Sequence, residues 1–110
     1  MTTNFYDLND NATNIVLFAE NTESIQRGIE EWLQNCIAKK IRRGEVVTVE
    51  HLCECSTLKK IVSEAIKLYR KCSYEDYLHI TAVDRLQARQ YLANSIMEEA
   101  KCIAKQTVNA

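Results

Sequence analysis

The stretch "HLCECSTLKKIVSEAIKLYRKC", residues 51–72, decides how this chain folds. Its second half places Leu58, Ile61, Val62, Ala65, Leu68, Tyr69 and Cys72 three and four residues apart. That spacing makes one stripe of an amphipathic helix, with Lys59, Lys60, Lys67, Arg70 and Lys71 on the other faces. The first half reads two ways. Leu52, Cys55 and Leu58 continue the apolar face, so one helix running from Val49 to Cys72 satisfies the pattern. Equally, Thr48 reads as the cap of a short helix over "TVEHLCEC", with "CST" as a tight turn before the second helix. Periodicity allows both.

The second reading resembles a helix-turn-helix in outline. Lys59 and Lys60 would then sit in the first turn of a new helix, where the macrodipole disfavours cations unless an anion such as phosphate is held there. Against it, the turn lacks glycine and the second helix is long for a recognition helix. The alternation His51-x-Cys53-x-Cys55 also raises a metal site. On a helix, residues two apart point roughly 200° apart, unlike the CxxC knuckle that turns two sulfurs toward one zinc ion. No metal or other cofactor is therefore expected. Leu52 and one of the two cysteines are expected in the core, with His51 and Glu54 facing water.

Upstream, Ile25, Ile29, Trp32, Leu33, Cys36, Ile37 and Ile41 form a second helical stripe between Asn21 and Gly44. Glutamates lie in its first half and Lys39, Lys40, Arg42 and Arg43 close it. This order suits the dipole, and Gly44 reads as a left-handed stop. The stripe can also be extended upstream through Ile15, Phe18 and Thr22. Downstream, Ser73 with Asp76 and Thr81 with Asp84 match the capping pattern of a hydroxyl followed three residues later by an acid. The first predicts a single turn at "YEDYLH". The second starts a last long helix with Val83, Leu86, Ala93, Ile96, Met97, Ala100 and Ile103 or Ala104 facing inward.

The fold expected is all-α, one domain over residues 1–110 with 1–11 as a flexible N-terminal tail. A small bundle holds three major helices, near 22–43, 49 or 57–72, and 82–106, plus a short N-terminal helix near 12–19. Two glycines and no proline agree, because sandwiches and barrels draw heavily on both for their turns. The predicted core contains Ile29, Leu33, Ile37, Leu58, Ile61, Val62, Ala65, Leu68, Leu86, Ala93, Ile96 and Ala100. The only apolar run near the N-terminus, Ile15 to Ala19, is too short for a signal-peptide core or a membrane span, so a cytoplasmic protein with no membrane contact is expected. In a cytosol the five cysteines are expected as free thiols, Cys36, Cys72 and Cys102 among them acting as small hydrophobes on or beside apolar stripes.

Charge is unevenly spread. From Lys39 to Lys71 nine basic residues face four acidic ones, whereas the remainder of the chain carries eleven acidic residues and five basic ones. A basic middle reads as a footprint for phosphate, as helices of opposite charge lying side by side, as a complementary self-interface, or, most simply, as the solvated polar faces of amphipathic helices. Catalytic patterns are few: Glu30 with Glu31 and Glu98 with Glu99 splay apart on a helix, and neither His51 nor His79 has a nucleophile and orienting group specified around it. Ser56 and Thr57 read as a cap or an exposed polar spot.

The function expected is thus non-enzymatic: a small protein–protein interaction protein, an adaptor, inhibitor or structural accessory subunit, acting through a helical surface and pairing with itself as a homodimer or larger assembly. Trp32, Tyr69 and Tyr91 are its candidate anchors, since aromatics are enriched in interface cores. The alternative is a nucleic-acid-binding accessory protein whose anion contacts are Lys39, Lys40, Arg42, Arg43, Lys59, Lys60, Lys67, Arg70 and Lys71. Either role would suit an accessory gene of a phage or another mobile element.

Overall fold

Thr48 settles the ambiguous stretch. In the computed structural model, which describes residues 5–73 and 78–108, its side chain accepts a hydrogen bond from the His51 amide and opens a short helix, α4 (Val49–Glu54). Cys55 is extended, with φ −64° and ψ 136°, and the chain re-enters a helix at Ser56. The region is therefore two helices, α4 and α5 (Ser56–Cys72). Leu52 and Cys53 are buried while His51 and Glu54 are exposed, as the sequence suggested. Ser56 and Thr57 do not cap α5: the N-cap is Cys55, which makes no side-chain capping bond, and both hydroxyl residues are exposed.

Before it come α1 (Asp10–Asn21), α2 (Glu23–Trp32) and α3 (Ala38–Arg42). The upstream stripe does not make one helix with α1, because Thr22 leaves the helical region with ψ 115°. A single π turn, Leu33–Ile37, joins α2 to α3 without leaving helical dihedrals, so the two form one rod. The wider turn brings Leu33, Ile37 and Ala38 together into the core. Gly44 stops the rod as expected, at φ +79°. Its amide donates to the Ile41 carbonyl and that of Glu45 to the Lys40 carbonyl, the paired bonds of a Schellman stop. The last element is α6 (Ala82–Val108). In all, 85% of the described residues are helical and none is in a strand, an all-α bundle.

α1 packs on α5, α6 and α2, α4 on α6 and α5, the π turn and α3 on α6, and α2 on the edge of α5. One core joins them, with Ile15, Val16, Leu33, Ile37 and Leu58 fully enclosed. Three expectations need correction. Val83 and Leu86 were assigned inward but are 58% and 39% exposed. The buried ridge of α6 instead steps by four through Asp84, Ala88, Leu92, Ile96, Ala100 and Ala104, because Asp84 finds hydrogen-bond partners inside. Ile61 and Leu68 are only half-buried, since they face an open groove, while Ile66 is buried in their place. Cys72 and Cys102 are exposed, lying at the margins of their stripes. The turn expected at "YEDYLH" lies largely outside the described residues. Among those described, no helix is long and apolar enough to cross a membrane.

Candidate functional site

A groove runs between α2 and α5, which meet only along an edge. Thr22 and Ser24 lie against Lys67, Leu68 and Lys71 at one end, and Gly28 lies against Thr57 and Lys60 at the other, so the helices are antiparallel. The groove comprises two adjoining depressions of about 670 and 320 Å³ that share Ser24, Ile25 and Glu64. From Thr57 to Lys71 it extends roughly 21 Å at 1.5 Å per residue, or about four helical turns.

Its construction follows from helical spacing. On α5, Lys60, Glu64, Lys67 and Lys71 recur at four, three and four residues and form one wall, with Ile61 and Leu68 beneath them. The α2 wall is made of small residues, Ser24 and Gly28, over Ile25. At Gly28 a β-carbon would meet nothing within 4 Å, so the groove is open there. The result is an apolar floor beside a mainly basic rim, interrupted once by Glu64. Arg70 and Lys71 also stand at the C-terminal end of α5, where the helix dipole favours cations.

The nine basic residues grouped by the sequence are thus divided. Lys60, Lys67, Arg70 and Lys71 line the groove. Lys59 is paired with Glu54 at 3.2 Å. Lys39, Lys40, Arg42 and Arg43 are at the exposed end of α3, where Arg43 pairs with Glu45 at 3.0 Å. From Gly28 to Lys39 is eleven residues of continuous rod, about 16 Å, so this second group lies beyond the groove.

The aromatic candidates are half-buried against the core. Tyr69 stacks on Phe18 with centroids 5.8 Å apart, and Tyr91 meets Phe5 edge-on at 5.6 Å. The Tyr69 hydroxyl donates to Asn11 Oδ1 at 2.9 Å and accepts from Asn14 Nδ2 at 3.2 Å. His51 is exposed while Cys53 is buried, and among the described residues no three histidine, cysteine or acidic side chains gather as a metal site. Burial pushes the Cys53 thiol up in pKa, partly offset by the Arg89 guanidinium.

Two features escaped the sequence reading. Gly28 was passed over because a glycine inside an apolar stripe reads as a tolerated defect rather than an opening. The other is a polar network around Asp84, only 5% exposed. Its carboxylate accepts from Asn9 Nδ2 at 2.7 Å, Asn11 Nδ2 at 3.1 Å and the Thr81 amide at 2.9 Å. Its own amide donates to Thr81 Oγ1 at 3.1 Å, completing the capping box read from the sequence. Asn9 caps α1 at the same point through the Ala12 amide. Three asparagines, Asn9, Asn11 and Asn14, at the mouth of a helix that otherwise disfavours them were the signal. Comparison with known proteins finds no family model, no curated protein and no solved structure that matches this chain.

Proposed function

We propose that this chain is a non-enzymatic protein–protein interaction module of the cytosol, which takes the acidic, amphipathic helix of a partner into the α2–α5 groove. The observation that carries the reading is the pairing of an apolar floor (Ile25, Ile61, Leu68) with a basic rim (Lys60, Lys67, Lys71) along about four turns of helix. Helix-in-groove recognition needs apolar anchors spaced three and four residues apart, and acidic flanks on such a helix would meet the lysines. The five free cysteines fit a reducing compartment. A nucleic-acid contact would use the same lysines, but duplex-binding faces are predominantly polar and charged, which favours a peptide here.

Gly28 supplies the test. Because its surroundings are open, Gly28→Phe fills the groove without disturbing the core. The probe is a synthetic peptide of about four helical turns with leucines along one face and glutamates beside them. It should bind the parent protein measurably by fluorescence anisotropy. Gly28→Phe should weaken it by about tenfold or more at an unchanged melting temperature, and the double change Lys67→Glu, Lys71→Glu should do likewise. Binding of generic duplex DNA that is lost with the lysines yet indifferent to Gly28→Phe would assign the groove to nucleic acid instead.

A further inference from the structure

A second cavity, of about 580 Å³, lies between α4, α6 and a short 3-10 turn, Phe5–Asp7, with Leu8 after it, and shares no residue with the groove. Leu8, Val49 and Leu86 give it apolar walls. Asp7 and Glu50 make its rim acidic, beside Glu54, which is paired with Lys59 at 3.2 Å. Asn94 lines it as well, and the Asn94 Nδ2 is buried without a hydrogen-bond partner. The cavity thus offers apolar walls beneath an acidic rim.

Complements to both lie in the connection immediately before α4 and on α3 ahead of it. Val46, at 84% exposure, is the most exposed of the large hydrophobic residues that are described. The backbone from Glu45 to Val47 is outside any helix, whereas the Thr48 carbonyl already accepts from the Leu52 amide at 3.1 Å. Basic residues of α3, Lys39 and Lys40 among them, stand just before this loop and are exposed. The loop therefore carries an apolar tip and stands beside the positive charge of Lys39 and Lys40 on α3, two complements of the cavity.

We propose that two copies of this chain pair about a two-fold axis, the Val46 loop of each entering the α4–α6 cavity of the other. Val46 lies three residues from Val49, which lines the cavity, so projection and recess are side by side on one face. A two-fold rotation then satisfies both at once and closes the assembly as a dimer. Positive charge at the end of α3 meets the partner's acidic rim, and Val46 meets the apolar walls.

The test is the mass in solution at tens of micromolar, on the scale where weak dimers form. The parent protein should have about twice its 12.7 kDa chain mass. Val46→Asp, at a site exposed enough to leave the fold intact by circular dichroism, should raise the dissociation constant by about tenfold or more. Val46→Cys gives a second reading, because Cys53 lines the same cavity. With oxidised glutathione as the electron acceptor, the two thiols lose two protons and two electrons, and a cross-linked dimer should form across the pair. That product should disappear in Val46→Cys, Cys53→Ser. A monomer mass throughout this range, or cross-linking indifferent to Cys53→Ser, would overturn the proposal. The Gly28→Phe variant should remain dimeric, so failure here is distinguishable from failure of the groove.

Discussion

Asp84 shows how one side chain can redirect a helix. Burial alone would raise its carboxyl pKa, but the Thr81 amide, Asn11, Asn9 and the Thr81 hydroxyl favour the charged form and together hold it below the ordinary carboxylate value. A group whose folded pKa is depressed contributes stability that is present above its unfolded pKa and lost as pH falls through the folded value. Asp84 should thus stabilise the fold at neutral pH and lose that contribution below the normal carboxylate range. Asp84→Asn keeps the shape but puts an amide donor against the donors of Asn9 and Asn11. We expect a loss of about 1.5–3 kcal/mol at pH 7, as for a hydrogen-bonded charge. In urea titrations the gap between parent and variant should narrow as the solution is acidified. A gap that stays constant down to strongly acidic pH would remove the carboxylate from the account.

At the scale of elements, the break between α4 and α5 has a direct test at Cys55. It holds the N-cap position of α5 in extended geometry and makes no capping bond. Cys55→Asp would place an acceptor at the bare amides of the first turn, and we expect a gain of about 0.5–2 kcal/mol in chemical denaturation at neutral pH. In an unbroken helix the same residue would be interior, where aspartate costs up to about 0.7 kcal/mol relative to the best helix formers, so the sign of the change decides. This break was only half legible. Thr48 announced the start of α4, but Leu52, Cys55 and Leu58 continued the apolar period across the turn, and periodicity records which side is apolar rather than whether the axis bends. Legibility failed in the same way on α6. Counting apolar residues put Val83 and Leu86 inside, because an aspartate on the inward face becomes plausible only once its asparagine donors, more than seventy residues away in sequence, are known. Likewise, Lys60, Lys67 and Lys71 were recognised as basic, but their gathering on one rim depends on α2 lying antiparallel alongside.

For the whole molecule, the N-terminal helix has a larger role than its length suggests. It reads as a short addition to three major helices, yet Ala12, Ile15, Val16 and Ala19 are completely buried and α1 packs on both α5 and α6. The core that includes them is a single cluster drawing on every major helix, with Trp32 packed against it from the end of α2. A single core without separable parts should unfold in one cooperative step. Helicity followed by circular dichroism and the environment of Trp32 followed by fluorescence should therefore report the same midpoint. Ile15→Ala removes buried methyl groups from the central helix and should cost about 2–5 kcal/mol. Since α1 does not fold apart from the rest, that loss should shift both probes together, although Trp32 is on another helix. If the fluorescence midpoint stayed fixed while the circular dichroism midpoint fell, α1 would be a separately melting attachment, and the single-core architecture would be wrong.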